Sequence, residues 1–298
     1  MPSYKNGNYW VNINPKNGDK LRYTKDNYME ASRPESMDIK ITGVCNAGCP
    51  FCFEDSNPQG KHGDIMGAKF IDTLLPYTEL AIGGGNPLEH PDLEAFLYKC
   101  KDLKLIPSMT VNQRHFIENI EILRKYRDEK LIYGLGVSII QPTIQLIEFL
   151  KEFPNAVCHV INGIITHDML MDLGYNNLKL LILGYKVKGR GENVYKLFNK
   201  QIEENMSMLE KLLPVMMMEN WFQVISFDNR ALDQLNVKDK VSEEIWEERF
   251  MGNDGVATFF IDLVKEEFTV SSTKKTRWPL MDNVIDMFEI VKKNKDCE

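Results

Sequence analysis

Short apolar runs alternate with amphipathic stretches along the chain from position 37 onward. The apolar runs have the length and the Ile, Leu and Val content of buried strands, whereas the stretches between them repeat apolar residues at helical spacing. This alternation is typical of repeated β-α units and a parallel sheet. Six strands are predicted, at 38–44, 79–83, 107–112, 132–139, 156–161 and 178–183, with helices at 68–77, 91–101, 116–128, 143–153, 167–173 and 193–213.

The two ends of the chain follow other patterns. Residues 9–24 read as two short strands around a turn at 14–19, which predicts a hairpin outside the core. Beyond Pro214 the pattern predicts a strand at 221–227, a helix at 241–250 introduced by Ser242, a hairpin of 257–262 and 267–271, and a closing helix at 281–293. We therefore divide the chain into a hairpin appendage (1–36), a β-α region (37–213) and a C-terminal α+β extension (214–298).

Composition narrows the functional classes. The 298 residues can bury a full core, and 43% hydrophobic with 27% charged residues is ordinary for a globular protein. A net charge of −7 and a pI near 5.4 give no general attraction to nucleic acid or anionic lipid, so nucleic acid is a disfavoured partner. Residues 1–20 hold no apolar signal segment and no run reaches membrane-spanning length, so a cytoplasmic location without a membrane is expected.

Three of the six cysteines, Cys45, Cys49 and Cys52, fall within eight residues. In a reducing compartment such a cluster indicates a metal site, and the small Ala and Gly between the first two let a loop wrap a bulky inorganic cluster. A structural zinc would need a fourth ligand, for which His62 is available, but the spacing differs from the paired spacing of zinc knuckles and ribbons. The spacing favours iron and sulfur and leaves zinc as the alternative.

This CxxxCxxC loop, placed after the first predicted strand, resembles that of the radical S-adenosylmethionine (SAM) superfamily. The resemblance covers roughly 37–199 and implies an α/β fold with a partial (β/α)6 radical SAM barrel. It further implies that Cys45, Cys49 and Cys52 hold a single [4Fe-4S] cluster whose fourth iron binds SAM. In the family an aromatic residue before the third cysteine lies against the adenine, and Phe51 matches it.

A second match follows the next predicted strand, where Gly83, Gly84 and Gly85 precede Asn86. In the family a glycine-rich turn at this place contacts the SAM amino group, so side chains at Gly84 or Gly85 are expected to intrude on SAM. The family often has Glu where this chain has Asn86, which leaves the role of that side chain open. Glycines also occur in any tight turn, so the match gains its weight from its position after the cysteine loop.

Further resemblances lie at the ends of later strands, where ligands bind in α/β barrels. The resemblance assigns SAM or substrate contacts to Asn112, Ser138, Asn162 and Gly184. Each of these could instead cap or form a turn. Cys158 could point into the barrel and donate a hydrogen atom to a substrate radical, as a thiol does in some epimerising relatives, or it could simply pack. His62, His90 and His159 could approach the cluster, although lone histidines are more often structural.

The resemblance implies that an external one-electron donor of the flavodoxin or ferredoxin type reduces the cluster. SAM is then cleaved to methionine and a 5′-deoxyadenosyl radical, which abstracts hydrogen from the substrate. A peptide is the first substrate considered, because residues beyond Trp221 stand where peptide-modifying relatives carry a SPASM or twitch extension, here free of cysteines until Cys297. A small molecule or nucleotide is the second. An iron-sulfur electron carrier and a zinc-stabilised binding module are the alternatives from other classes, and the glycine turn favours the enzyme.

Overall fold

A computed structural model describes residues 2–14, 16–250 and 252–295. Cys297 lies outside the described residues. Within the described ranges, no helix is both long and apolar enough to cross a membrane.

The amino-terminal segment forms a small antiparallel sheet of β1 (Ser3–Asn6), β2 (Tyr9–Ile13) and β3 (Lys20–Tyr23). The predicted hairpin is β2 and β3, whereas β1 is too polar and short to be seen in the apolar pattern. Placing the hairpin outside the core was wrong, because alternate side chains of β2, including Tyr9 and Val11, are buried in the main core. Arg22 on β3 donates to the buried Glu35 carboxylate, with Nη2 to Oε2 at 2.6 Å.

The six predicted strands are present and lie side by side in chain order, all parallel. They are β4 (Ser36–Thr42), β5 (Glu79–Gly84), β6 (Ile106–Asn112), β7 (Gly134–Ser138), β8 (Ala156–Ile161) and β9 (Lys179–Leu183). The helices between them are α1 (Leu93–Asp102), α2 (Gln113–Glu118), α3 (Ile120–Asp128), α4 (Ile144–Lys151) and α5 (His167–Leu173).

Two predicted helices differ from the structure. The segment 68–77 forms only a short 3-10 helix, Lys69–Thr73, because Leu74 is extended and Pro76 disfavours helical backbone before it. The segment 116–128 is split into α2 and α3 at Asn119, whose φ of −116° and ψ of 28° depart from helical values.

The last third of the chain adds strands to both edges of the same sheet. It contains α6 (Arg190–Met218), β10 (Val224–Phe227), α7 (Asn229–Gln234), α8 (Glu243–Arg249), β11 (Thr258–Asp262), β12 (Glu267–Thr269), β13 (Trp278–Pro279) and α9 (Val284–Asn294). β10 pairs in parallel with β9, and β11 pairs in parallel with the free edge of β4. The predicted hairpin is confirmed as β11 and β12. The six-strand prediction was too low, because eight neighbouring strands of the described sheet, β10 through β11, are parallel.

Alternate residues of these strands face a common interior, while the intervening residues pack against the helices. On β4, Asp38 and Lys40 line the interior cavity, whereas Met37 and Ile41 are buried in the core. The same division repeats on the following strands because successive side chains of a strand point to opposite faces. The sheet therefore curves around a cavity whose wall is polar at selected positions.

Candidate active site

A cavity of about 670 Å³ fills the space enclosed by the curved sheet. Its wall is made by side chains from every strand between β4 and β10 and by Phe260 of β11. All three clustered cysteines line it at the carboxyl end of β4, together with Phe51 of the same loop. A cavity of this volume is in the range that binds small molecules.

The cysteine loop is fixed to the strand it follows by backbone hydrogen bonds. The Cys45 amide donates to the Asn57 carbonyl at 3.0 Å, and the Asn57 amide donates to the Gly43 carbonyl at 3.2 Å. Arg190 holds the other end of the loop, because its Nε donates to the Cys49 carbonyl at 3.0 Å and its amide to the Cys52 carbonyl at 3.0 Å. The loop is therefore bonded both to its own base and to the start of α6.

The three thiols form no disulfide and all face the same cavity. The side-chain amide of Asn112 donates to Cys49 Sγ at 3.3 Å, and the Ala47 amide lies 3.5 Å from Cys45 Sγ. Burial raises the pKa of the Cys45 and Cys49 thiols. Among the described residues, no three Cys, His, Asp or Glu side chains are grouped as ligands of one metal ion. Iron-sulfur clusters are held by cysteine thiolates, and the three free thiols of this loop open to one cavity.

The glycine turn is hydrogen-bonded to the cysteine loop. The Gly85 amide donates to the Thr42 carbonyl and the Asn86 amide donates to the Val44 carbonyl, both at 2.7 Å. Gly84 has a φ of +121°, and a Cβ there would stand 2.3 Å from the Thr42 carbonyl oxygen, while one on Gly85 would stand 2.2 Å from that of Val44. Side chains at these two positions would thus strike the chain's own backbone. Gly84 and Gly85 themselves line the cavity, so the contact of their backbone with SAM stays a prediction.

Gly83 differs from its two neighbours because the position of a Cβ on it is open space. It lines the cavity, and a Cβ built on it would meet no atom within 4 Å. It lies two residues after Ala81, which lines the same wall, as strand alternation requires.

The other predicted contact residues divide into two groups. Asn112 and Ser138 line the cavity. Three predicted residues do not line it: Asn86, Asn162 and Gly184. The Asn86 side chain accepts from the Leu88 amide at 3.3 Å and donates to Glu89 at 3.1 Å, which makes it the cap of the 3-10 helix Pro87–Glu89.

Asn162 and Gly184 are tied to the segment after β10. The Asn162 side-chain amide donates to Gln234 Oε1 at 3.1 Å. The Gly184 amide donates to Asp228 Oδ1 at 2.9 Å, and a Cβ on Gly184 would meet the Arg230 side chain. Both positions hold α7 against the sheet.

Cys158 faces away from the cavity, contrary to the predicted direction. Its neighbours Val157 and His159 line the cavity, while Cys158 is 1% exposed and packs in the core. Burial raises the pKa of its thiol to about 12. A hydrogen donor must reach the substrate, so the structure removes Cys158 from that role.

The three histidines have different surroundings. His62 Nδ1 lies 2.9 Å from Thr42 Oγ1, and its ring packs edge-on against His90, so the proposed fourth zinc ligand is engaged elsewhere. His90 is buried, with Nε2 2.8 Å from the Gly63 carbonyl oxygen, as expected of a structural histidine. His159 lines the cavity, and burial lowers its pKa to about 4, so its imidazole is neutral at pH 7.

The strand pattern missed several charged residues of the cavity wall. Lys40 Nζ contacts Glu54 of the cysteine loop at 2.5 Å and Asp262 of β11 at 3.3 Å, which ties these elements together. Lys186 lies 4.0 Å from the centre of the Phe53 ring. The alternation of Asp38, Lys40 and Thr42 with isoleucines indicates a polar face on this strand. The apolar residues alone predict the strand but not that face.

No family model matches the sequence, and no curated protein matches it. Among solved structures, the fold is similar to that of SuiB from Streptococcus suis. SuiB bound to its precursor peptide SuiA gives a TM-score of 0.59 at 13% identity, covering 90% of this chain and 68% of SuiB. SuiB bound to S-adenosylmethionine gives 0.58 at 14% identity, covering 90% and 67%. At this identity the likeness concerns the fold alone.

Proposed function

We propose that this chain is a radical SAM enzyme that holds one [4Fe-4S] cluster on Cys45, Cys49 and Cys52. The observation that carries the proposal is the convergence of three free thiols and a glycine turn on one cavity at the carboxyl end of the curved parallel sheet. The similarity of fold to a SAM-bound protein supports the same reading.

The residues around the thiols divide the work of holding the cofactors. Asn112 and Arg190 fix the loop at Cys49, the first through Sγ and the second through the backbone. Gly83 leaves open space beside the thiols, and Phe51 supplies an aromatic face to the same cavity. We assign SAM to this space, with Ser138 further along the wall.

When bound, the cluster and SAM would supply reductive cleavage of SAM and abstraction of a hydrogen atom from the substrate, with the electron coming from a flavodoxin- or ferredoxin-type donor. The barrel restricts this chemistry to its interior. Apolar wall residues such as Ile161 and Leu183 exclude bulk water. The charge cluster of Arg22, Glu35 and Lys20, at the amino ends of the strands, holds the amino-terminal sheet against the opposite end of the barrel.

A peptide is the substrate class that we favour, since SuiB is bound to a precursor peptide in a structure of similar fold. A cavity of about 670 Å³ accommodates a side chain and SAM rather than a folded peptide segment, so one residue of the peptide would enter. A small molecule or nucleotide of similar volume is the alternative.

The test is anaerobic reconstitution with iron and sulfide, followed by iron analysis, electron paramagnetic resonance and assay of 5′-deoxyadenosine with dithionite. About four irons per chain are expected for a single cubane. Cys45→Ala, Cys49→Ala and Cys52→Ala should each lose the cluster, whereas Cys100→Ala, a buried cysteine outside the cavity, is the matched control. Full iron content in the three loop variants, or zinc in an iron-replete preparation, would overturn the proposal.

A further inference from the structure

A layer of polar side chains crosses the barrel below the cysteines, and the proposed function does not use it. Its members are Asp38 on β4, Thr110 on β6 and His159 on β8, which all line the cavity. Strand tilt in a barrel brings side chains from alternate strands to the same level, offset from the hydrogen-bonded register by a constant step.

The registers of this sheet show that step. Asp38 is paired with Ala81 of β5, and Ala81 is paired with Ser108 of β6. Thr110 lies two residues beyond Ser108 on the same strand. Thr110 is paired with Gly136 of β7, and Gly136 is paired with Val157 of β8. His159 lies two residues beyond Val157 on the same strand. The offset between these residues is two positions for every two strands, which is the offset at which barrel strand tilt brings side chains to one level.

Gly136 confirms that two of these groups converge. A Cβ on Gly136 would stand 2.5 Å from His159 Nε2 and 2.9 Å from Thr110 Oγ1, so glycine at this position makes room for both polar atoms. Asp228 continues the layer after β10, and its Oδ1 already accepts from the amides of Gly184 and Ala231.

These groups face the open cavity, with the Asp38 side chain exposed and those of Thr110 and His159 partly exposed to it. Within the ranges that the structure describes, no hydrogen bond or ion pair is made by the Asp38 carboxylate, the Thr110 hydroxyl or the His159 imidazole. The surrounding cavity walls desolvate the Asp38 carboxylate and raise its pKa to about 6, with Asp254 and Asp228 raising it further and Lys186 lowering it. Lys186 is itself held over Phe53 and donates to Ser272 Oγ at 3.3 Å.

We propose that Asp38, Thr110 and His159 form a substrate subsite for the protonated amine at the end of an aliphatic chain. An ammonium group offers three donors, which match a carboxylate, a hydroxyl and a neutral imidazole. The apolar wall between this layer and the thiols, which includes Ile161, would contact the aliphatic stem. Along β4, Asp38 lies about 13 Å below Thr42, which leaves the length of such a stem between the amine and the cysteine loop. This inference rests on the proposed function, because the subsite binds a substrate only if the chain is an enzyme.

The amine subsite can be tested without SAM chemistry. Binding of n-butylammonium to the purified full chain is measured by ligand-observed NMR titration, with n-butanol and butyrate as neutral and anionic probes of equal length. Wild-type protein should bind the ammonium at least tenfold more tightly than either control. Asp38→Asn should weaken it at least tenfold, Thr110→Val should weaken it less, and Asp168→Asn, at a fully exposed carboxylate, should leave it unchanged.

Equal binding of butanol or butyrate, or wild-type binding by an Asp38→Asn protein that melts normally, would overturn the subsite. The two proposals fail separately. If the protein binds n-butylammonium but holds no cluster and forms no 5′-deoxyadenosine, the radical chemistry is refuted and an amine-binding cavity remains. If it holds the cluster and forms 5′-deoxyadenosine but does not bind n-butylammonium, the enzyme proposal stands and the subsite is refuted.

Discussion

Substitution of neighbouring glycines distinguishes a residue that lines the SAM space from one that builds the loop. Valine at Gly83 places its branched side chain in the cavity, because the Cβ position has no atom within 4 Å. The backbone there belongs to β5, where a β-branched residue is favourable. The folded chain should tolerate the change, while the ligand loses the space that three added carbons occupy.

Alanine at Gly84 should act differently. Its φ of +121° is a region that side chains rarely adopt, which costs about 1–3 kcal/mol before any contact is counted. The Cβ would also stand 2.3 Å from the Thr42 carbonyl oxygen, which accepts the Gly85 amide. The free energy of unfolding should fall, and the base of the cysteine loop should be displaced.

The assay compares iron content, thermal unfolding and SAM affinity of Gly83→Val, Gly83→Ala and Gly84→Ala with wild type. For Gly83→Val we expect wild-type iron content and a SAM dissociation constant raised at least tenfold, equivalent to about 1.4 kcal/mol. Gly83→Ala should show a smaller effect, and Gly84→Ala should lose stability and iron together. Unchanged SAM affinity in a folded, cluster-loaded Gly83→Val protein would refute the placement of SAM beside this residue.

Three further changes test other parts of the structure. Cys158→Ala should destabilise the fold by roughly 1 kcal/mol because it leaves a small cavity, and the formation of 5′-deoxyadenosine and product should be unchanged. Loss of product alone in a stably folded variant would restore the hydrogen-donor role. Asn86→Ala removes a cap, so thermal unfolding should show a loss of about 1 kcal/mol, and an unchanged melting curve would contradict that assignment. Glu35 is buried, yet its hydrogen bonds and ion pair with Arg22 lower the pKa of its carboxyl group. The stability that this carboxylate gives the fold is therefore present above the unfolded-state pKa and is lost as pH falls through the folded-state pKa. Chemical unfolding of Glu35→Gln should therefore show lower stability than wild type at pH 7 and a shallower loss on acidification, and parallel pH curves for the two proteins would contradict the ion pair's role.

Local patterns in the sequence were sufficient for the β-α order and for the cysteine loop. The six strands were found because each buried strand is a short apolar run, and Cys45, Cys49 and Cys52 were found because ligand spacing is a property of consecutive residues. Capping was also local, so that Ser242 begins α8 as predicted.

Only the tertiary structure decided which residues share the cavity. A shift of one position moves a side chain to the opposite face of a strand, which is why His159 lines the cavity and Cys158 does not. Three features depend on hydrogen-bond register between distant segments: the pairing of β11 with β4, the close approach of Gly84 to Thr42, and the approach of Thr110 and His159 at Gly136. Register is set by packing and strand tilt across the whole barrel, and no local pattern of residues encodes it.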